Sequence, residues 1–433
     1  MIMIDKLYEI FKKNPFISTD SRNIIPGCLF FALKGPAFNG NSFAEIALSN
    51  GAAFAVIDDS TFQKNHQYLL TDDVLTALQS LANFHRQQLK IPILAVTGSN
   101  GKTTTKELLK NILSKKYNTV VTKGNLNNHI GVPLTILSIP ANAEFAVIEM
   151  GANHQKEIES YCRIAEPDYG LITNVGKAHL EGFGGFDGVK KGKGELYSWI
   201  SKNGKGVFLN GSNSDLNAMV KEYKFPQIIR YGMDQEFYCS GELISEQPHL
   251  KINWKCNSKK GTIHSQLIGQ YNFENILSAV CIGNYFNVVS ADIDDAIEKY
   301  IPENSRSQII NKGTNTIILD AYNANPTSME AALINFKKMN AAYKMVFLGD
   351  MAELGDETLE EHKRILSMLE ESGYDKVILV GKNFVELSDG LNALIFEDSK
   401  LAATWLKENP VNNFYILIKG SRTTQMEKIM DAF

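Results

Sequence analysis

Apolar and polar positions alternate along this 433-residue chain between short continuous runs and longer helix-periodic stretches, and the alternation divides it into three blocks. The first block, 1–86, opens on a short helix-like stretch, MIMIDKLYEIFKK. DSRNIIPGCLFFALKGPAFNG follows, with strand-like runs broken at Pro26, Gly27, Gly35 and Gly40. SFAEIALSNGAAFAVID then reads as a helix, a stop at Gly51 and a strand. The second block, 87–300, begins its pattern at IPILAVTG (91–98), a β-branched run ending in glycine. EFAVIEM (144–150) and YGLITNV (169–175) read as buried strands, and the stretches after Gly101 and around Asp187 to Ile200 as helices. Residues 236–268 predict a small meander, with a helix from about Asn272. In the third block, 301–433, TNTIILD, KMVFLGD, KVILVG and FYILIKG alternate with helical stretches after Pro326, from Thr358, near Ser399 and at the end. Strands alternating with helices predict parallel sheets covered by helices, so the expected class is α/β in three domains. These are a small N-terminal α/β domain, a central domain with a mostly parallel sheet, and a C-terminal Rossmann-like domain.

Length and composition agree with this division. A chain this long spans about two to four domains. Hydrophobic residues are 44% and charged residues 21%, the balance of a soluble globular protein. Lys plus Arg is 44 and Asp plus Glu 48, a formal charge of −4, which argues against a nucleic-acid partner. Cys28, Cys162, Cys239, Cys256 and Cys281 are odd in number and contain no CxxC pair. They are expected to be buried free thiols, with neither a disulfide framework nor a zinc site. Asp5 and Lys6 interrupt the first apolar stretch, which therefore does not read as a signal peptide, and no run approaches the ~20 apolar residues of a membrane span. The expected location is the cytoplasm, with no membrane partner.

The strongest local signal is AVTGSNGKTTTKE, 95–107. An apolar strand runs into Gly98, Ser99, Asn100, Gly101, Lys102, Thr103 and Thr104, and a helix follows. Glycines let the backbone fold around an anion, and the N–H groups of the helix start face phosphate oxygens. Lys102 can reach terminal phosphates, and the Thr103 hydroxyl can ligate Mg²⁺. Val96 stands where the longer Walker pattern has its first glycine, so this is the shorter GxxGKT. An ordinary glycine-rich turn is the alternative; the strand–loop–helix context and the Lys-Thr pair favour a nucleotide. Glu149 ends one predicted strand and His179 follows another. Ligands of open α/β sheets bind beyond the carboxyl ends of strands, so both are candidate metal ligands. A solvated acid and an unremarkable polar histidine remain the competing readings.

TGSNGKTTTKE, GNLNNHIGVPLT (124–135), IEMGANH (148–154) and ITNVGKAHLEGFG (172–184) resemble the successive motifs of the Mur ligases. DSRNIIPGCLFFALKG (20–35), DAYNANPTSMEAAL (320–333), LGDMAELG (348–355) and KGSR (419–422) extend the resemblance across all three blocks. They point to the branch that joins D-alanyl-D-alanine to a UDP-N-acetylmuramoyl tripeptide. The resemblance implies a UDP-binding first domain, an ATP-binding second domain and a third domain contributing to the ATP site. The implied chemistry is phosphorylation of a carboxylate by ATP, then displacement of phosphate by an amine. Two Mg²⁺ ions are implied, one at Thr103 and Glu149 and a second near His179. Lys193, in KKGKGELY, matches a lysine that the family carries as a carbamate. Asn272 and Asn275 match adenine contacts, preceded here by Tyr271 where a histidine is usual, and Arg306 and Asp320 match ATP contacts from the third domain. Ser21 and Arg22 match the uridine segment, whose usual Asp-Gly-His run is Asn39-Gly40-Asn41 here. Asn125, Asn127 and Asn128 match residues near the muramoyl substrate. The enzyme is expected to be a monomer whose third domain closes over the site. A sister ligase adding the third stem residue, a folylpolyglutamate synthetase and a non-catalytic nucleotide-binding relative are the alternatives. DAYNANP and the DSR block disfavour the first two; Lys102, Thr103, Glu149, His179 and Lys193 together disfavour the third.

Overall fold

A computed structural model describes residues 2–303, 305–387 and 390–433. Three main sheets follow one another along the chain. In the first, Ile17–Ser18, Leu29–Phe31, Phe54–Ile57 and Tyr68–Leu70 pair in that order, all parallel. Leu29–Phe31 is buried at every position, which is why CLFFAL reads as a continuous run: a parallel strand covered on both faces has no polar side.

The central sheet has nine strands. Thr119–Val121, Phe145–Glu149, Ile93–Thr97, Tyr169–Ile172, Gly206–Asn210, Ile228–Gly232 and Cys239–Ser245 pair in parallel. Lys251–Cys256 and Lys259–His264 then extend the sheet antiparallel, as the expected meander. In the third sheet Asn315–Asp320, Phe414–Lys419, Tyr343–Gly349, Lys376–Val380 and Leu394–Phe396 are parallel, and Gln308–Lys312 adds an antiparallel edge. The fold is α/β with mostly parallel sheets in three successive units.

The units share packing. The helix Val74–Gln88, capped by Asp73 on the Thr76 amide at 2.6 Å, lies against the central-unit helices Gly131–Leu137 and Glu157–Ala165. From its last turn the Arg86 guanidinium donates to the Ala165 and Glu166 carbonyls, both at 2.9 Å, and to Asp168 at 3.1 Å. One continuous apolar core includes Leu7, Ile148 and Ile318, and so reaches all three sheets' units.

One expectation is corrected. Cys239 and Cys256 are disulfide-bonded, and only Cys28, Cys162 and Cys281 are free and buried. The two partners face each other directly in the antiparallel register of their strands. Spacing along the chain does not show that juxtaposition, which is set by where the hairpin turns. The helical stretch expected at the end is 3-10, Met426–Ala432. Its buried residues are Met426 and Ile429, an i, i+3 pair that the three-residue turn sets in one line. No helix among the described residues is long and apolar enough to cross a membrane.

Where the meander meets the helix Ser290–Glu298, the Trp254 indole N–H donates to Asp294 Oδ1 at 2.7 Å. Burial pushes Asp294 up to about 6, and Glu298 nearby adds to the shift. A carboxylate harder to ionise folded than unfolded removes stability as pH rises from about 4 through about 6. Asp294→Asn, which keeps an acceptor for Trp254, should therefore raise the urea midpoint near neutral pH, with a gain that shrinks toward about pH 4. A gain independent of pH would contradict the assignment.

Candidate active site

The phosphate loop sits at the carboxyl end of Ile93–Thr97, between the strands that carry Glu149 and Asn174 at their ends. Its shape requires glycine twice. Gly98 and Gly101 have φ +145° and +80°; a Cβ would lie 2.0 Å from Thr173 Oγ1 at Gly98 and 2.3 Å from Asn275 Oδ1 at Gly101. The Ser99 hydroxyl donates to the Gly176 carbonyl at 3.0 Å and accepts from its amide at 2.9 Å. Asn174 grips Asn100 at both ends, accepting from its amide at 2.9 Å and donating to its carbonyl at 3.1 Å. The loop is thus held before any ligand arrives. Lys102 begins the helix Lys102–Leu113 and folds back on the Gly98 carbonyl at 2.7 Å. Burial in the cleft pulls its ammonium down to about 8; Arg306 acts in the same direction and Glu149 against it.

Glu149 is 1% exposed. Thr103 Oγ1 donates to its Oε1 at 3.2 Å and Asn127 Nδ2 to the same atom at 2.8 Å. Its Oε2 is buried with no hydrogen-bond partner. The nearest cation is Lys106 Nζ at 3.7 Å, fully buried and donating to the Thr122 carbonyl at 2.7 Å.

These residues line one cleft of about 670 Å³. Ser99, Asn100, Gly101, Lys102, Thr103 and Thr104 line it, together with Asn125, Asn127, Asn128, Glu149 and His179. Asn272, Asn275, Arg306 and Asp320 also reach it. Asn275 receives Thr105 Oγ1 at 3.2 Å and donates to Asn272 at 2.9 Å, so both asparagines brace the loop helix. Asp320 accepts the Ser307 amide at 3.0 Å and pairs with Lys419; the cap of the following helix is Asn325. Arg306 stacks on Tyr322, 3.7 Å from the ring centre. Asn128 is turned into a helix start, accepting from the Gly131 amide at 2.9 Å.

Lys193 does not line the cleft. It is 1% exposed, with the Ala152 carbonyl at 3.5 Å and the Phe183 ring 5.2 Å away. Burial, reinforced by Lys102, holds it well below the ordinary lysine range; Glu157 and Glu195 oppose the shift. Ser21 and Arg22 do not line the cleft either. Arg22 is exposed and doubly bonded to Asp20 at 2.9 and 2.8 Å, and Asn41 is spent on Asp58 at 2.7 Å.

The third unit is docked on the central one. Asn325 donates to Asn100 Oδ1 at 2.9 Å, the Lys177 amide to Thr327 at 3.0 Å, and the Lys177 ammonium pairs with Glu361. Tyr271, in place of the usual histidine, bonds the Ser307 hydroxyl at 2.8 Å and so bridges the two units. His179 is paired with Glu353, whose carboxyl is held below the usual range by that hydrogen bond. Lys106, Asn174 and Glu353 were not foreseen as site residues. Lys106 had a signal, one helical turn after Lys102; Asn174 and Glu353 lie within ITNVGKAHLEGFG and LGDMAELG, the stretches that carry the family resemblance.

Removing one partner of a buried pair leaves the other charge uncompensated, at a cost of about 3 kcal/mol or more. Lys106→Met should lower the urea midpoint accordingly, since Glu149 keeps no other cation this near. An unchanged midpoint would show that Glu149 is balanced by other groups.

Comparison with known proteins matches the geometry. The Mur ligase middle domain matches residues 96–283, the Mur ligase glutamate ligase domain 305–422, and the Mur ligase family catalytic domain 15–98. A UDP-N-acetylmuramoyl-tripeptide–D-alanyl-D-alanine ligase of Bacillus subtilis is 34% identical, covering 96% of this chain and 92% of that one. A crystal structure of MurF from Acinetobacter baumannii superposes with a TM-score of 0.84 at 31% identity, over 96% of this chain and 92% of that one. The MurF ligase of Thermotoga maritima in complex with ADP gives 0.84 at 25% identity, over 96% of each. With all three units matched in order and the cleft formed between the central and third units, the chain belongs to the Mur ligase family.

Proposed function

We propose that this chain is an ATP-dependent ligase joining D-alanyl-D-alanine to a UDP-N-acetylmuramoyl tripeptide, releasing ADP and phosphate and yielding the pentapeptide precursor of peptidoglycan. The observation that carries the reading is the single cleft shared by the phosphate loop, Glu149 and the third-unit residues Arg306 and Asp320. Relatives bearing that activity in their name match almost the full length. The working units are 1–86 for the UDP-muramoyl substrate, with Ser21 and Arg22 at the uridine end, 87–300 for ATP, and 301–433. A monomer in the cytoplasm, where nucleotide-linked substrates and ATP occur together, fits this role.

In the proposed reaction the tripeptide's terminal carboxylate takes the γ-phosphoryl group of ATP. The D-alanyl-D-alanine amine then attacks the acyl carbon, an amide bond forms, and the carbon–oxygen bond to phosphate breaks. Lys102 and the amides of the helix start hold the transferring phosphates. Asn272 and Asn275 hold the adenine end; Arg306 and Asp320 hold the nucleotide from the third unit, whose docking excludes water that would hydrolyse the acyl phosphate. Asn125 remains for the muramoyl side.

The residues present fit Mg²⁺ at Thr103 and Glu149. Glu149 Oε2 is buried without a hydrogen-bond partner and has only the loose contact with Lys106, so the carboxylate retains acceptor capacity for a cation. Mg²⁺ is usually held by one or two carboxylates plus phosphates, and Glu149 beside the Thr103 hydroxyl offers such a set. Mg²⁺ there would neutralise charge developing on the phosphoryl oxygens. A second ion near His179, as the family resemblance implies, would be served by an anion at Lys193. Burial favours the neutral amine, which alone reacts with CO₂, giving a carbamate and a proton.

Phosphate release with UDP-N-acetylmuramoyl tripeptide should require an amine acceptor, and in competition D-alanyl-D-alanine should be chosen over lysine, diaminopimelate and glutamate. Preference for a single amino acid would assign the chain to a sister ligase. Lys193→Ala should be nearly inactive and partly restored by short carboxylic acids that return an anion to the cavity. Full activity of Lys193→Arg would mean that positive charge is what the site needs.

A further inference from the structure

Glu353 lies in the loop after the strand Tyr343–Gly349 and lines both the nucleotide cleft and a second cavity of about 700 Å³ in the third unit. Its carboxylate is in hydrogen-bond contact with His179 Nδ1. The contact joins two non-glycine residues that both hold left-handed backbone, φ +54° at His179 and +62° at Glu353. Such conformations persist only where surroundings over-determine them. Here the surroundings are reciprocal: the Glu181 amide donates to the Glu353 carbonyl at 3.2 Å. Gly355, at φ +56°, lets the same loop close on Glu181, with a Cβ there 3.3 Å from the Glu181 Cβ. The two strained residues therefore clasp each other across the boundary between units.

The chemistry of the clasp is directional. An ionised carboxylate only accepts, so the imidazole nitrogen facing it must carry the proton. In a neutral ring the proton is then fixed on Nδ1 and the lone pair on Nε2, which has no hydrogen-bond partner among the described residues. Histidines that bind a cation or a phosphoryl group are generally oriented in this way by a carboxylate behind them. The unusual feature is that this carboxylate comes from a different unit of the chain.

We propose that Glu353 is a positioning residue that sets the tautomer and orientation of His179, so that His179 becomes competent only when the third unit is docked. Docking does not itself depend on Glu353. Asn100–Asn325, Lys177–Glu361 and Tyr271–Ser307 tie the same two units independently. Orientation of the imidazole and closure are thus separable by mutation. The functional weight of the inference rests on the ligase reading above; its geometric content does not.

The test uses the full chain labelled with ¹⁵N-histidine and saturated with ADP, with the His179 signals identified by their loss in His179→Gln. The wild-type ring should show the proton on Nδ1. Glu353→Ala should give a mixture of tautomers, and Glu353→Gln, whose amide oxygen still accepts, should restore the wild-type pattern. In phosphate-release assays Glu353→Ala should lower kcat by about 10- to 100-fold, as loss of a group that orients a ligand does, with the KM for ATP within about twofold because Lys102, Arg306 and Asp320 are untouched. Glu353→Gln should recover most of that loss. A wild-type ring protonated on Nε2, or identical His179 signals in wild type and Glu353→Ala, overturns the proposal. So does an unchanged kcat in Glu353→Ala. Should wild type fail to ligate D-alanyl-D-alanine, the ligase reading falls, while the tautomer measurement still decides the role of Glu353.

Discussion

A carboxylate as deeply buried as Glu149 has to be balanced from within the protein, and the central unit is arranged around that requirement. Leaving water costs an ionised carboxyl several kcal/mol, which only close cations and donors offset. Thr103, from the start of the phosphate-loop helix, and Asn127, from the loop that leads to the muramoyl side, both spend a hydrogen bond on Oε1. Lys106 reaches Oε2 only loosely, at 3.7 Å, and the atom has no hydrogen bond. The balance is thus incomplete at one of the two carboxylate oxygens. The same bonds fix the distance between the nucleotide loop and the asparagine loop.

Lys193 has the complementary problem. A buried ammonium with one distant carbonyl for a partner is at odds with its surroundings, and two carboxylates in the neighbourhood, Glu157 and Glu195, are already engaged by backbone amides. Glu157 caps Asn153 and His154, and Glu195 receives the amides of Lys156 and Glu159. Neither is free to turn toward the lysine. The sequence around it, KKGKGELY, contains three lysines on one helix, and only burial separates them: Lys191 is exposed, Lys190 pairs with Asp215 at 2.7 Å, and Lys193 is enclosed.

What could be read from the sequence follows the range of the interactions concerned. Strands of the parallel sheets were visible because burial on both faces writes a continuous apolar run, as in Ile93–Thr97 and Phe145–Glu149. The phosphate loop was visible because its chemistry lies within seven consecutive residues. Asn272, Asn275, Arg306 and Asp320 carry no such local pattern and were accessible only through resemblance to a family. Contacts that depend on tertiary register stayed hidden. Cys239 and Cys256 meet because of a hairpin register, and His179 meets Glu353 from 174 residues away. Asn174 clamps Asn100 from both sides across 74 residues of chain, a pairing that depends on neighbouring strands of the sheet.

These costs also weigh against a chain that keeps the fold without the reaction. A half-balanced Glu149, a desolvated Lys102 and a nearly partnerless Lys193 each reduce the stability of the free protein, and apolar residues of similar volume in their places would be neutral or stabilising. Strain at His179 and Glu353 adds to the account, at about 1–3 kcal/mol for each such backbone. Groups of this kind are expected together where ligands of opposite charge complete them, because local rules of stability are broken chiefly at functional sites. A scaffold that only bound nucleotide would need Lys102 and the loop amides. It would have no use for a lysine buried behind the cleft, nor for a carboxylate delivered from another unit to the back of a histidine. The unfavourable groups thus lie beyond what nucleotide binding alone would need.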